Sequence, residues 1–411
     1  MSEADADIAI VGGGLIACMT AHRLRQRGRS VIVLERGLVG GESSGVSFGS
    51  LRLQGQHDPE LGLALRAQEV WEGIEAEIGE TVGFARHGHV HLALTAEHEE
   101  RMERNAVQAR GHGLEIEISG RNRTLDRWPF LSERVRASSW SSRDATVNPR
   151  LVAPAFARAA RRLGADIREG CEVVGAGQDG RGFTLRCRGA DGAGFDVTSR
   201  MLINAAGAWA GSIAAAFGER IPLFAAGPAE LVTEPVPAFA APVFHVVDGS
   251  VLFRQTDRGN VVVGGHPRLP VDPATRGARV PPDKIATNLG RLVAIVPHLR
   301  AHHLIRSWTG VEAYVEDMMP VLGPSATTPG LFHACAFSGH GLQLGPAAAL
   351  ALADLVTRGD TTLPVAPLGI GRFARGASRT RKLAEEFQSG VLATHATATA
   401  TSRSSGPSYP S

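Results

Sequence analysis

The sequence has only two lysines, Lys284 and Lys382, so arginine carries almost all of its positive charge. Its 43 basic and 41 acidic side chains give a formal charge of +2, which is too even for non-specific nucleic-acid binding to be the main activity. Aromatic residues make up only 5% of the chain, whereas glycine is abundant at 49 residues, which indicates many tight turns and close backbone approaches. The 43% hydrophobic content of the 411 residues excludes wholesale disorder.

Cysteine is sparse, and the sequence contains no CxxC pair among Cys18, Cys171, Cys187 and Cys335. This spacing excludes a disulfide scaffold and a cysteine-rich zinc or iron–sulfur site. Two segments lack Asp, Glu, Lys and Arg, at 201–218 and 331–353, but polar residues interrupt both, so we expect them to be buried rather than transmembrane. The N-terminus is acidic where a secretory signal requires positive charge. We therefore expect a cytoplasmic protein, which can be peripheral to a membrane only through a partner.

The first 35 residues follow the order strand, glycine turn, helix, strand. Similar α/β pieces recur in the middle and near the end of the chain, and segments with short alternating strands separate them. We expect a fold of the α/β (α+β) class, with a Rossmann-like nucleotide-binding domain built from discontinuous segments and a second domain with an antiparallel sheet. The predicted ranges are 1–85, 150–220 and 305–375 for the first domain, 86–149 and 221–304 for the second, and 388–411 for a disordered, low-complexity tail.

The glycine turn carries the motif Gly12-x-Gly14-x-x-Ala17, and Glu35 ends the next predicted strand. Gly12 allows the tight turn, Gly14 lets the backbone approach a pyrophosphate, and Ala17 permits close packing of helix on strand. The free amides of the helix N-terminus then face the phosphates, and the Glu35 carboxylate can accept hydrogen bonds from ribose hydroxyls. The motif predicts a dinucleotide site, and an acidic residue at position 35 argues against a phosphorylated ribose.

A second glycine turn, at 337–346, leads into an Ala/Leu-rich helix predicted at 346–357. Amides at the start of this helix can meet the negative charge that develops on a reduced flavin ring, although the turn can equally be an ordinary cap. Together with the Gly/Ser-rich loop at 40–49, it favours FAD over NAD as the dinucleotide.

With these motifs the chain resembles the D-amino-acid oxidase superfamily of flavoproteins, and within it the branch of sarcosine oxidase, glycine oxidase, opine oxidase subunits and cyanide-forming glycine dehydrogenase subunits. The resemblance covers roughly residues 6–375 and rests on five ordered segments. These are VGGGLIA at 11–17, LALRAQEVWEGIE at 63–75, NAAGAWA at 204–210, SWTGVEAYVEDMMPVLGPS at 307–325 and GLFHACAFSGHGLQLGP at 330–346.

The resemblance implies a set of contacts with non-covalently bound FAD. The implied residues are Gly12, Gly14, Leu15, Glu35, Arg36, Ser43, Ser44, Gly49, Val173, Ala206, Gly207, Trp209, Phe337, Gly339, His340, Gly341, Leu342 and Gln343. Sarcosine oxidase attaches its flavin to a cysteine, and this sequence has no matching cysteine near 312–314, because Cys335 lies well past that point.

Departures from the family pattern bear on the substrate. The arginine that clamps the substrate carboxylate in glycine oxidase is replaced by Glu312, and the substrate-contacting lysine of sarcosine oxidase by Gln343. Arg52 stands where a second carboxylate-binding arginine of that enzyme lies, so we expect it to bind a substrate carboxylate; the alternative is a loop salt bridge or a phosphate contact. The strand lysine that promotes the reaction of reduced flavin with oxygen is replaced by Val262. With no other lysine expected nearby, that route to fast oxidase activity is missing.

Four further residues are candidate groups of the substrate pocket. Glu312 can pair with a substrate ammonium or guanidinium or form a structural ion pair, and Tyr314 can face the pocket or pack in the core. His340 is expected to position the flavin rather than to act as a base, and His245 is read as a lone strand histidine. Strand alternation places His87, His89 and His91 on one face, but the family suggests no metal, so a polar sheet face is expected.

These observations predict a flavoenzyme that oxidises the C–N bond of an amino acid or secondary amine, by hydride transfer to FAD, to give an imine. The expected substrates are N-substituted glycines, opines, imino acids or D-amino acids, and the electron acceptor is oxygen, a quinone or a partner subunit. An alternative is an electron-transfer subunit of a heteromeric amine dehydrogenase. A flavin monooxygenase is disfavoured, because those enzymes carry a Gly-Asp motif where this chain has SGHG.

Overall fold

The computed structural model describes residues 4–56, 58–276, 279–376 and 379–387. The predicted disordered tail at 388–411 lies outside the described residues. The α-helices are α1 (Leu15–Gln26), α2 (Ser43–Val46), α3 (Asp58–Ile78), α4 (Ala96–Gly111), α5 (Arg121–Arg127), α6 (Pro149–Arg162), α7 (Ala210–Ala216), α8 (Pro282–Ile295), α9 (Gly341–Arg358) and α10 (Arg381–Glu386). Short 3-10 helices span Gly207–Trp209, Pro297–Ala301, Ala366–Leu368 and Ile370–Arg375.

The strands belong to two large and two small sheets. They are β1 (Ala6–Val11), β2 (Val31–Leu34), β3 (Ser50–Leu51), β4 (His89–Ala93), β5 (Glu117–Gly120), β6 (Ala137–Ser141), β7 (Ala145–Thr146), β8 (Asp166–Arg168), β9 (Glu172–Asp179), β10 (Gly182–Arg188), β11 (Gly194–Asn204), β12 (Phe224–Gly227), β13 (Glu230–Pro235), β14 (Val243–Val246), β15 (Leu252–Gln255), β16 (Asn260–Gly264), β17 (Leu269–Pro270), β18 (Leu304–Trp308), β19 (Glu312–Tyr314), β20 (Val321–Pro324) and β21 (Leu331–Cys335).

The first large sheet has the order β20-β21-β11-β1-β2-β8, with the β9–β10 hairpin added through β11. Its central pairs are parallel, and Val11 lies opposite both Leu34 and Asn204. The carboxyl ends of β1, β2 and β11 therefore meet at one edge of the sheet, where an open α/β sheet binds its ligand. This arrangement confirms the predicted Rossmann-like fold made from discontinuous segments.

One face of this sheet is covered by a layer of helices in which α1 packs against α6 and α9, and α9 against α3. Small and aliphatic side chains fill the layer, and Ala17, Ala21 and Leu24 of α1 are almost fully buried. Such residues let helices pack closely on parallel strands. The layer fixes the start of α1 and the start of α9 at the same edge of the sheet.

The second large sheet has the order β18-β13-β16-β15-β14-β4-β6-β5. All of its pairs are antiparallel except β4 with β14, which run parallel. One face carries a core of aromatic and aliphatic residues, among them Phe244, Phe253 and Val263, under α8. Strand β4 begins only at His89, because Gly88 has a φ of +81° and interrupts the extended backbone.

The boundary predicted at residue 305 is displaced. Strand β18 pairs with β13, which places 305–308 in the second large sheet rather than in the first domain. A small sheet, β17-β12-β19, also joins strands from both predicted segments. The division of the chain into domains therefore stays a proposal. Within the described residues, none of the helices combines the length and hydropathy that crossing a membrane requires.

The helix predicted from residue 346 begins five residues earlier, at Gly341. Its first turn is closed by Leu344 N–H, which donates to His340 O at 3.0 Å. Burial of this turn against α3 outweighs the low helix propensity of glycine. The predicted glycine-rich turn and the start of the helix are thus one continuous feature.

A buried ion pair ties the C-terminal 3-10 helices to the loop after β19. Arg372 Nε lies 2.7 Å from Asp317 Oδ2, and both side chains are at most 10% exposed. Replacing Arg372 with Met should lower the free energy of unfolding by about 3–5 kcal/mol, because the Asp317 carboxylate would stay buried without its partner. Denaturant titration followed by circular dichroism measures this. As a control, replacing the exposed Arg379 with Met should leave the free energy of unfolding almost unchanged. Equal losses of unfolding free energy in the two variants would contradict a stabilising role for the Arg372–Asp317 pair.

Candidate active site

A first cavity opens at the edge of the first sheet where β1 and β2 end. Most of the residues that the sequence assigned to the cofactor line it. They are Gly12, Gly14, Leu15, Glu35, Arg36, Ser43, Ser44, Val173, Ala206, Gly207, Trp209, Phe337, Gly339, Gly341 and Leu342. Gly49 lines neither this cavity nor the second one described below, and its backbone is instead packed against Val147 O.

The glycine turn leaves no room for side chains. Gly12 has a φ of +102°, and a Cβ there would lie 2.5 Å from Ala205 O. A Cβ on Gly14 would approach the Ser44 hydroxyl to 3.2 Å, and that hydroxyl accepts a hydrogen bond from Leu15 N–H at 2.9 Å. The start of α1 is therefore bare backbone facing the cavity, as a pyrophosphate site requires.

Glu35 is held at the end of β2 by backbone donors. One carboxylate oxygen accepts from Gly13 N–H at 2.6 Å, and the other accepts from Gly37 N–H at 2.7 Å. Each carboxylate oxygen has a second lone pair, so the group can still accept a ribose hydroxyl. The local backbone thus orients the acidic residue that the motif predicted.

Arg36 supplies positive charge to the same cavity. Its guanidinium lies 3.6 Å from the centre of the Trp209 ring, and Glu42 approaches it only to 3.7 Å. Arg36 Nη2 is buried and has no hydrogen-bond acceptor. A buried donor without an acceptor costs free energy unless a ligand meets it, so this atom fits an anionic dinucleotide.

The turn between β21 and α9 closes the far end of the first cavity. Its backbone is left-handed at Ala336, Ser338 and Gly339, with φ values of +55°, +48° and +82°. Left-handed conformations at non-glycine residues cost roughly 1–3 kcal/mol each and cluster at ligand sites. The turn presents the first amides of α9, which have no acceptor within the helix, to the cavity.

The cysteines in this cavity do not favour covalent attachment of a cofactor. Cys335 lines the cavity, but burial raises the pKa of its thiol to about 12. The thiolate, not the thiol, is the nucleophile. The thiol is therefore unreactive in this environment.

A second cavity lies between the first cavity and the second large sheet. The two cavities share Ser47, Glu312, Gly339 and Leu342, so they meet at the turn before α9. The second cavity also contains Arg52, His340 and Gln343. The structure thus brings the predicted substrate groups together in one cavity, except Tyr314. That residue does not line the cavity but contacts Glu312, which does.

Arg52 is a cation without an anionic partner. Its Nη1 donates to Gln54 O at 2.8 Å, and no carboxylate of the described residues lies within ion-pair distance. Burial lowers the pKa of this guanidinium, whereas the Asp144 carboxyl group raises it. The salt bridge considered from the sequence is therefore not formed, and an anionic ligand would relieve the cost of burying this charge.

Glu312 and Tyr314 belong to a charged network that the sequence did not reveal. Arg268 Nη1 lies 3.2 Å from Glu312 Oε2, and Arg268 Nε donates to Glu386 at 3.1 Å. The Tyr314 hydroxyl donates to Glu312, and its ring stacks on Phe224. Burial by itself would raise the pKa of Glu386, but Arg268, His266, Lys382 and His340 together outweigh it and lower that pKa. Glu312 therefore forms a structural ion pair, which was one of the two roles that the sequence allowed for it.

Lys382 corrects the expectation that no lysine lies near the flavin site. Its Nζ is 2.6 Å from His340 Nε2, while His340 Nδ1 is 2.9 Å from the Glu60 carboxylate. Burial lowers the pKa of Lys382, and Glu386 and Glu60 oppose this effect. Helix α10 folds back onto the cavity and delivers this lysine, whereas Val262 is buried in β16 as the sequence suggested. No motif around position 382 signals this return of the chain.

Gln343 has a structural contact as well as a place in the second cavity. Its side-chain amide donates to Ala64 O at 3.1 Å, and its backbone carbonyl accepts from Trp71 Nε1 at 3.2 Å. Both partners lie on α3. Gln343 therefore anchors α9 to α3 beside the turn, a role that the resemblance alone did not imply.

Comparison with known proteins agrees with this geometry. The model of a family described as FAD dependent oxidoreductase (DAO) matches residues 7–355. Glycine oxidase of Geobacillus kaustophilus is 28% identical, over 89% of this chain and 97% of that protein. An opine oxidase subunit of Rhizobium meliloti is also 28% identical, over 83% of this chain and 93% of that protein. The crystal structure of L-proline dehydrogenase from P. horikoshii superposes with a TM-score of 0.84 at 25% identity, covering 92% of this chain and all of that one. The chain belongs to the DAO family of FAD-dependent oxidoreductases, which confirms the resemblance inferred from its motifs.

Proposed function

We propose that this chain binds FAD non-covalently in the first cavity and oxidises the C–N bond of an amino acid or secondary amine in the second cavity. The observation that carries the proposal is the junction of the two cavities at the turn before α9, with the unneutralised Arg52 on the substrate side. Glycine oxidase and L-proline dehydrogenase, to which the chain is similar, support an amino-acid substrate.

Each group has a separate task in this proposal. When bound, FAD supplies the acceptor for a hydride from the substrate carbon. Arg52 binds the substrate carboxylate and so fixes the reacting carbon at the junction. Lys382 Nζ and His340 Nε2 lie 2.6 Å apart, at hydrogen-bond distance. This pair can take the proton that a substrate ammonium must lose before its carbon can give up a hydride.

A second candidate is a role as one component of a heteromeric amine dehydrogenase. It is supported by the similarity to the Rhizobium meliloti opine oxidase chain, whose name identifies it as a subunit. The two candidates differ in what the purified chain does alone. Bleaching of the flavin by a free amine, without any partner, favours the complete active site.

The substrate class is tested by anaerobic mixing of the purified protein with N-alkyl glycines, opines, D-amino acids and cyclic imino acids. We expect at least one carboxylate-bearing amine to bleach the flavin. Arg52→Ala should lower kcat/KM for that substrate roughly 10–150-fold, because a charge-assisted contact worth about 1.5–3 kcal/mol is lost.

The Arg52 variant should retain its FAD, and the exposed Arg104→Ala should serve as the matched control with unchanged kinetics. Loss of flavin from Arg52→Ala would show that this residue belongs to the cofactor site. Normal turnover by the same variant would show that Arg52 does not bind a substrate carboxylate.

The cofactor assignment predicts that acid or heat releases free FAD from the yellow protein. Gly14→Val should purify without flavin, because its side chain would clash with Ser44 and block the approach of the pyrophosphate. Absorbance of the supernatant after precipitation measures both results. Colour that stays with the precipitated polypeptide would contradict non-covalent binding, and full flavin content in Gly14→Val would contradict the site.

The sequence alone favours an artificial acceptor over oxygen, but Lys382 supplies the positive charge that Val262 lacks. A fixed cation stabilises superoxide as it forms. Lys382→Met should therefore slow reoxidation of the substrate-reduced protein by oxygen about tenfold or more, with less effect on a dye. The matched control is Lys284→Met, since Lys284 lies on α8 and lines neither cavity. Equal oxygen rates in the two variants, measured by rapid mixing, would exclude this role for Lys382.

A further inference from the structure

Three imidazoles meet on the cavity face of the second large sheet. His89 and His91 alternate along β4, and His245 lies opposite His91 on the parallel neighbour β14. Residues two apart on a strand point to the same face, so the pairing brings all three side chains into the second cavity. The sequence placed His89 and His91 together, but it gave no sign that β14 would bring His245 beside them. His87, expected on the same face, is exposed and lies before Gly88.

The three rings surround a common point. Their centroids are separated by 5.0, 5.2 and 5.7 Å, and each pair is steeply inclined, at 77–79°. One nitrogen from each ring lies within 4.8 Å of the other two. Both ring nitrogens of His91 and Nδ1 of His245 are buried without a hydrogen-bond partner. Buried polar atoms in this number indicate a ligand that meets them.

The charges around the cluster favour an anion over a metal cation. Burial lowers the pKa of His89 and of His91 well below the usual value, and Arg52 lowers both further. Arg101 also lowers the pKa of His91, and His266 also lowers the pKa of His245. The nearby carboxylates do not offset these cations: Asp248 lies 3.5 Å from His98, and burial raises the pKa of the Glu230 carboxyl to about 8, which disfavours its charged form.

The spacing of the nitrogens admits such an anion. An oxygen atom that accepts hydrogen bonds of about 2.8–2.9 Å holds its donors roughly 4.7 Å apart. One nitrogen from each of the three rings lies within 4.8 Å of the other two, so one carboxylate oxygen can contact all three rings.

Arg52 adjoins this cluster. A Cβ on Gly55 would be 2.9 Å from both Arg52 Nη1 and His91 Cε1, so the guanidinium lies beside the imidazole of His91. The three histidines line only the second cavity, whereas the turn before α9 lines both cavities. The cluster therefore belongs to a part of the second cavity that the first cavity does not share.

We propose that His89, His91 and His245 bind a second carboxylate, at the end of the substrate remote from the reacting C–N bond. This inference rests on the proposed function and narrows the substrate class to amines with two carboxylates, such as N-(carboxyalkyl) amino acids. An anion favours the charged form of a neighbouring imidazole. Binding of a dicarboxylate should therefore be accompanied by proton uptake at the cluster and should strengthen as the pH falls.

The test uses dicarboxylates without a C–N bond, which bind but cannot be oxidised. Succinate and glutarate are compared with butyrate on the FAD-loaded protein, by calorimetry in two buffers of different ionisation enthalpy. We expect a dicarboxylate to bind about tenfold or more tightly than butyrate, since its second charge gains hydrogen bonds, and to take up protons as it binds. His91→Gln and His245→Gln should each abolish this preference while leaving butyrate affinity and flavin content unchanged. The exposed His87→Gln is the matched control.

Each outcome separates the inference from the proposed function. Equal affinities for mono- and dicarboxylates, or a preference that survives both cluster variants, would overturn the second-carboxylate site but leave the function intact. Failure of every carboxylate to bind would overturn both the inference and the carboxylate site at Arg52, whereas the proposed oxidation of a C–N bond is tested separately, by bleaching of the flavin with an amine. Binding of added Zn²⁺ that is lost in both cluster variants would identify a metal site and overturn the inference.

Discussion

The turn from Ala336 to His340 is the constraint on which both cavities depend. Its left-handed residues are maintained by contacts from three directions: Ser338 N–H donates to Ala313 O at 3.2 Å, His340 pairs with Glu60, and Gln343 bonds to α3. Together these contacts offset the cost of the backbone strain. Because the turn is fixed, the start of α9 faces one cavity and the ring of His340 faces the other. The proposed FAD site and the proposed substrate site thereby share one wall.

The two cavities differ in the charged and polar groups that line them. The first cavity offers backbone amides, the oriented Glu35 carboxylate and the unsatisfied Arg36, a set suited to ribose and phosphates. The second cavity is rich in charge, but Arg268 is already engaged by Glu312 and Glu386. Arg52 alone is left without a counter-ion among the arginines that line the described part of this cavity. In the proposed function, Arg52 is therefore the group that binds a substrate carboxylate.

The parts of the site that are local in sequence could be predicted. Gly12, Gly14 and Glu35 lie within one βαβ unit, so spacing alone predicts their arrangement, and the turn before α9 is likewise contiguous. The contacts that were missed join elements far apart in the chain. Lys382 reaches His340 only because α10 folds back, and His245 reaches His91 only through a parallel strand pair. Glu312 was recognised as a departure from the family, but its neutralisation by Arg268 depends on the pairing of β12 with both β17 and β19. Periodicity and spacing contain no information about such pairings.

Substrate and flavin must meet at the turn before α9 if the two cavities have the roles proposed for them. A crystal structure of the FAD-loaded protein with a bound, non-oxidisable carboxylate ligand tests this most directly. We expect the isoalloxazine ring to lie against residues 337–342 and a ligand carboxylate to lie within hydrogen-bond distance of Arg52. A ligand bound away from Arg52, or a flavin ring remote from that turn, would contradict the proposed roles.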